Sequence, residues 1–296
     1  MMKIGKVTCG LAVFGLFAMA NMAQATEGGG STYPGGTENY LAAAVPPPGF
    51  YVLEYGQMYT ADAVKDNSGN TIPIPGFKLN VAVAATRLIW STPNQVLGGN
   101  LVFHTILPLV NVSVGGSQTK VGLGDVTIGA GIAKHYSPEL HTVMAVDAVL
   151  PTGAYDKNEA VNIGRNYYSL QPLYGLSYVQ NSGFNGDFKL TFNLNSQNSA
   201  TNYTSGNEVF VDYAAGYGLG NGWVVGVGGY MRQQFSDDSG TGAPTNGNRA
   251  KAFAFGPSIK YENANHWFIT AKLTQETGVQ NATQGTALWV KAAVPF

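Results

Sequence analysis

From residue 49 onward the chain falls into short segments in which apolar and polar side chains alternate one by one. A period of two places successive side chains on opposite faces, so each segment is a strand with one apolar and one polar face. In 187–194, Phe188, Leu190, Phe192 and Leu194 point one way and Asp187, Lys189, Thr191 and Asn193 the other. The last segment opposes Leu288, Val290, Ala292, Val294 and Phe296 to Ala287, Trp289, Lys291 and Ala293. In 251–261, Phe253, Phe255, Pro257, Ile259 and Tyr261 oppose Ala252, Ala254, Gly256, Ser258 and Lys260, with Pro257 expected at a bulge or a weakly paired position.

The pattern predicts about twelve strands: 49–59, 77–90, 100–110, 124–136, 140–150, 165–179, 186–195, 207–218, 222–235, 250–261, 265–275 and 285–296. The facing of 77–90 and 100–110 is ambiguous. The connections 60–76, 111–123, 151–164, 196–206, 236–249 and 276–284 are long and polar. Those between them, 91–99, 137–139, 180–185, 219–221 and 262–264, are mostly short. Such alternation is expected of a transmembrane antiparallel barrel with long external loops and short periplasmic turns. Trp90, Tyr136, Tyr178, Tyr217, Tyr261 and Phe296 end the descending strands, and Phe50, Tyr51, Trp223 and Trp267 begin the ascending ones. Together they form an aromatic girdle at one membrane interface. Lipid supplies no partner for an open sheet edge, so the barrel must be closed. The fold class is therefore all-β, with 49–296 as a closed barrel; a secreted β-sandwich gives no reason for the aromatic registry.

Composition and the leader agree. Only 11% of the 296 residues are charged and 11% are aromatic, against roughly 25% charged in an average soluble domain. A net charge of −1 gives no polybasic surface for nucleic acid. Residues 1–25 read as a signal peptide: Lys3 and Lys6, an apolar core from Leu11 to Ala20, then Ala23-Gln24-Ala25 with cleavage after Ala25. Cys9, the only cysteine, lies before that core, so the mature chain carries neither disulfides nor Cys-ligated zinc. The destination is the bacterial outer membrane. Residues 26–48 are rich in glycine and end in Pro46-Pro47-Pro48; they form either a periplasmic tail, the favoured placement, or a plug in the lumen.

Turning the apolar faces to lipid sends Glu54, Asp125, Asp147, Asp187, Glu208 and Asp212 inward, with Arg165, Lys189, Arg232, Lys260, Lys272 and Lys291. Acids and bases balance, which argues against a strongly ion-selective pore and fits a neutral permeant or an interior partly closed by ion pairs. Twelve strands are intermediate between a filled barrel and an open porin.

Catalytic signatures are missing. There is no GxSxG, HExxH or phosphate loop followed by Lys, and of the four histidines only His104 lies within a strand body. His135 and His141 flank a tight turn, but metal ligation there wants more ligands than Glu139 alone, so no metal, cofactor or enzymatic activity is expected.

Four stretches, ENYLAAAVPPPGFYVLEY (38–55), GLGDVTIGAGI (122–132), VLPTGAYD (149–156) and NIGRNYYSLQP (162–172), resemble outer-membrane proteins associated with the meta-cleavage pathway of phenol degradation, described as transporters. Ala42-Ala43-Ala44 departs from a more glycine-containing pattern there. The resemblance implies passive uptake of small hydrophobic or aromatic compounds. The remaining alternatives are a structural or adhesive barrel without transport and, less favoured, a lipid-modifying enzyme. The expected partners are outer-membrane lipid and lipopolysaccharide, the small apolar permeant, and the barrel assembly machinery through the terminal Phe296. The loop 151–164 is expected at the entrance, its base held by Asp147, Asn162, Arg165, Asn166 and Ser169, with Tyr155, Tyr167 and Tyr168 as aromatic surface.

Overall fold

The computed structural model describes residues 27–115, 118–159, 161–245, 247, 249–265 and 267–294. The leader with its cleavage site, His266 and Phe296 lie outside the described residues.

Each strand is long enough to cross a membrane when tilted. They are β1 (Gly49–Lys65), β2 (Leu79–Val96), β3 (Gly99–Val114), β4 (Val126–His135), β5 (Leu140–Leu150), β6 (Ser169–Tyr178), β7 (Ser182–Asn195), β8 (Glu208–Leu219), β9 (Trp223–Gln234), β10 (Lys251–Glu262), β11 (Phe268–Gln280) and β12 (Thr283–Val294). Each pairs antiparallel with its neighbours, and β12 pairs with β1 from Val52↔Val294 to Val64↔Thr283, which closes a 12-stranded barrel. Short pieces extend the external rim: Gln118–Leu123 on β3, Thr71–Ile72 on β1, and Tyr203–Thr204 with Ser239–Gly240.

The barrel is inside out relative to a soluble protein. Asp187, Lys189, Glu208, Asp212, Lys260, Lys272 and Lys291 are buried, whereas Phe50, Met58, Leu109, Met144, Val227 and Phe255 are exposed on the outer wall. β10 alternates exposed and buried along almost its whole length, as its sequence requires. Pro257 opposes Val227 of β9 but falls in a gap of the β10–β11 ladder, between Phe255↔Gln275 and Ser258↔Lys272. A residue without an N–H is tolerated there.

The girdle forms at the periplasmic end. Phe50 stacks on Trp90 at 5.5 Å, Trp90 meets Phe103 at 5.7 Å, and Tyr261 lies 4.8 Å from Trp223 and 5.5 Å from Trp267. Tyr51 is at the same level but belongs to the inward series, and its hydroxyl donates to the carbonyl of Pro47 at 2.9 Å.

Several strands exceed their expected bounds. The expected connection 91–99 is a two-residue turn at Leu97-Gly98, both with positive φ (51° and 77°), the geometry that matches strand twist in a hairpin. Ser91-Thr92-Pro93 reads as a break, yet the ladder passes it with a register shift between Ser91 and Gln95, where no Pro amide is needed. The expected external loop 276–284 shrinks to Asn281-Ala282 between β11 and β12. Conversely, β6 begins only at Ser169, because Asn166 takes a left-handed turn (φ 59°).

Glu54 corrects the expected facing of β1. Leu53 and Tyr55 are buried inside with Ala85, Ile89, Val102 and Ala133, packed against Val45. Glu54 therefore stands on the outer wall, where Thr86 Oγ1 lies 3.0 Å from each of its carboxylate oxygens. The expected inward placement of Glu54 fails because the apolar face of β1 serves an interior surface rather than lipid. A carboxylate on the lipid face is costly, so Glu54→Leu is expected to stabilise the barrel by about 1 kcal/mol. Reversible unfolding in lipid vesicles measures this, and a loss of stability contradicts the outward placement.

Candidate functional site: the lumen and the segment that fills it

Residues 27–48 descend through the lumen from the external end to the periplasmic mouth rather than hanging beneath the barrel as a tail. Glycines let the backbone pass close to the wall. At Gly36 (φ +85°) a Cβ would lie 3.2 Å from Trp289 Nε1, and at Gly35 it would lie 2.7 Å from the Tyr230 ring. Proline then stiffens the approach to β1.

The contacts follow the descent. Near the top, Asn198 Nδ2 donates to Glu27 at 2.7 Å, Ser31 Oγ to Glu208 Oε2 at 2.6 Å, and Thr32 Oγ1 to Ser169 Oγ at 2.8 Å. At mid-height Asp212 accepts from the Tyr33 hydroxyl, from the Gly36 amide at 2.7 Å and from the Glu38 amide at 3.3 Å. The buried Glu38 carboxylate receives Lys291 Nζ at 2.9 Å, Tyr55 OH at 3.3 Å and Arg87 Nη1 at 3.4 Å. Lys272 Nζ donates to the Glu38 carbonyl at 2.6 Å, and Lys291 Nζ also reaches the Tyr40 carbonyl at 2.9 Å. Lower down, the Ala42 amide donates to Asp187 Oδ1 at 2.9 Å and the Ala43 amide to Ser177 Oγ at 2.8 Å. The lumen charges are thus largely spent on this segment and on one another.

The wall carries its own polar belt. His104 Nε2 lies 2.9 Å from Asp147 Oδ1, crossing over Gly129, where a Cβ would lie 2.2 Å from that carboxylate and 2.4 Å from the ring nitrogen. That approach explains a glycine in mid-strand. The belt continues through Gln171, Asn193 and Glu208 to Arg232, whose Nε donates to Glu208 at 2.6 Å. Lys189 lies over the Tyr33 ring, 5.1 Å from its centroid, and Lys260 pairs with Glu262 at 2.9 Å.

The expected loop-base residues separate into two groups. Asp147 is not at the loop; it is inside the barrel with His104. Asp125 is the loop's true anchor, accepting from the amides of Gly153 at 2.9 Å and Arg165 at 2.8 Å. Burial pushes its carboxyl up, against these amide contacts and the Arg165 charge. Asn162 braces the loop through the Asp156 amide at 2.9 Å, and Asn166 Nδ2 donates to Asn198 at 2.7 Å. The Arg165 guanidinium packs against Gly30, and Tyr155 OH reaches Glu27 at 3.3 Å, so the loop is tied to the top of the internal segment. Tyr167 is buried and Tyr168 exposed. Sequence reasoning missed Glu38, Arg87 and Glu276, the last accepting from the Tyr59 hydroxyl at 2.9 Å and the Gly285 amide at 2.6 Å: the first lies before the strands, the second on the strand of ambiguous facing, and the third inside the segment taken for a loop.

A family model described as "Putative MetA-pathway of phenol degradation" matches residues 61–292. The chain belongs to this family. No curated protein matches it in sequence. Among solved structures, an outer membrane channel from Pseudomonas putida F1 superposes with a TM-score of 0.75 at 18% identity, covering 90% of this chain and 100% of that one. The translocator domain of the autotransporter NalP from Neisseria meningitidis gives 0.48 at 11% identity, covering 86% and 91%. The CymD monoaromatic hydrocarbon channel gives 0.45 at 10% identity, covering 85% and 89%. The first of these shares the fold; the family membership and the barrel together describe an outer-membrane protein.

Proposed function

We propose that the protein is an outer-membrane channel for passive uptake of small hydrophobic or aromatic compounds, with residues 27–48 as its internal closure. The observation that carries this reading is the pairing of buried lumen charges with the internal segment. Lys291, Lys272 and Arg87 are all turned to Glu38, and Asp212 to Tyr33 and Gly36, which leaves little unbalanced charge to select ions. A neutral permeant is favoured by such an interior. The family's link to phenol degradation and the fold shared with an outer membrane channel support the same class. The loop 151–168 lies over the top of the segment, which fits it as the entrance, with Asn162, Arg165, Asn166 and Ser169 setting its shape. Lipid and lipopolysaccharide surround the barrel in this reading, and Phe296 serves its assembly.

No catalytic step is part of the proposal. His104 has its carboxylate partner, Asp147, but its Nδ1 has no hydrogen-bond partner among the described residues, so no hydroxyl nucleophile is in place. The test is flux through the mature protein refolded in liposomes, comparing a neutral aromatic with a charged solute of similar size. Faster passage of the aromatic than through protein-free liposomes is expected. Equal leakage with and without folded protein returns the reading to a structural or adhesive barrel.

A further inference from the structure

At the periplasmic mouth the turn between β4 and β5 brings two imidazoles together. His135 and His141 are directly opposed in the ladder, and their Nδ1 atoms lie 2.7 Å apart with the rings inclined at 73°. The turn is held on both sides: the Tyr136 amide donates to the Leu140 carbonyl at 2.9 Å, and the Val179 amide to the Glu139 carbonyl at 2.8 Å. The two rings line a cavity of about 390 Å³ with Ala44, Val45, Pro47, Pro48 and Asn100. His135 is exposed, so an ion has a path in from solvent.

We propose that His135 and His141 form a two-imidazole site for a transition-metal ion, with Cu(II) the best match. The tautomer at His141 is fixed by its other nitrogen: Nε2 lies 3.1 Å from the Pro138 carbonyl, which only accepts, so Nε2 carries the proton. His141 Nδ1 therefore carries a lone pair, which accepts from His135 Nδ1 at 2.7 Å. A backbone carbonyl orienting a histidine in this way is the usual outer-shell arrangement of a metal ligand. Without metal, the proton between the rings belongs to His135 Nδ1. On binding, that proton moves to the exposed Nε2 of His135 through water, both Nδ1 atoms coordinate, and no net proton is released from the neutral pair.

The short spacing favours one coordination geometry over another. Two nitrogens bound at about 2.0 Å are roughly 2.8 Å apart at a right angle and roughly 3.3 Å apart at a tetrahedral angle. The observed 2.7 Å is the length of the N–H···N hydrogen bond; once that proton has left, the rings need only turn and part to roughly 2.8 Å for a cis pair on tetragonal Cu(II) or Ni(II), less movement than tetrahedral Zn(II) requires. Glu139 is engaged by Ser137 Oγ at 2.8 Å, and among the described residues no cluster of three or more His, Cys, Asp or Glu side chains forms. Water fills the other positions.

The experiment is a Cu(II) titration of untagged, folded mature protein, read by electron paramagnetic resonance with pulsed detection of the remote imidazole nitrogens. One equivalent of Cu(II) bearing two imidazoles is expected. His135→Ala or His141→Ala should each remove one imidazole and weaken binding by at least the roughly 10–100-fold that loss of an outer-shell partner costs. His104→Ala, inside the barrel, should leave the signal unchanged. Heat-modifiable gel mobility establishes folding, and His141→Asn substitutes if the alanine variant does not fold. Copper carrying one imidazole or none in the wild type, or an unchanged spectrum in both His141 variants, overturns the proposal. Copper held by the amino terminus lacks the two-imidazole signature.

Discussion

Deleting residues 27–45 from the mature protein should turn a nearly closed barrel into an open one, with ionic conductance in planar bilayers rising about tenfold or more. The deleted stretch supplies no barrel strand, and the β12–β1 ladder that closes the wall is independent of it. What it does supply is bulk and negative charge. Tyr33, Tyr40 and Ala43 are buried in the lumen, and Glu27 and Glu38 are the only charged residues between 27 and 45. Their loss leaves Lys291, Lys272 and Arg87 facing water, so the opened channel should also shift toward anions, measured as a reversal potential in a salt gradient. Water then solvates charges that the segment had desolvated, so the barrel should still show heat-modifiable mobility. A folded deletion variant with wild-type conductance contradicts the closure.

The wall of this barrel was legible because lipid enforces the alternation of its strands. From β7 to β12 the outer face is mostly apolar, and Lys189, Arg232, Lys260, Lys272 and Lys291 lie inward where the alternation puts them, beside inward apolar residues such as Phe210 and Ala254. The rule weakens where the inner wall meets something apolar. On β1, Leu53 and Tyr55 pack inward against Val45, which sends Glu54 out. The same cause hid Arg87, since β2 carries Ala85 and Ile89 inward beside it and shows no polar face to read. The contents of the lumen left no periodic trace. A segment held by Asp212, Lys291 and Asp187 through long-range contacts has no local pattern, and its glycines and prolines describe a tail equally well. Only the balance of lumen charges pointed to internal pairing.

Glu38→Gln is the single substitution expected to loosen the closure most. The wild-type carboxylate is buried with Lys291 at 2.9 Å and Arg87 at 3.4 Å, and removing its charge leaves two buried cations short of a partner. Breaking a buried pair in this way costs about 3–5 kcal/mol. The barrel need not absorb that cost, because the segment can leave the lumen and let Lys291 and Arg87 hydrate. The expected result is therefore local: faster proteolysis within 27–45 and bursts of conductance, with the unfolding of the barrel little changed. Lys291→Met should act in the same direction, since it leaves the Glu38 carboxylate to Arg87 and the Tyr55 hydroxyl and removes the donor to the Tyr40 carbonyl. Combining the two removes an acid and a base together, so the double variant should lose less than the sum of the single losses, by about 0.5–3 kcal/mol for groups in direct contact. Simple additivity would mean that the Glu38–Lys291 contact does not hold the segment, and the closure would then have to rest on Asp212 and Asp187.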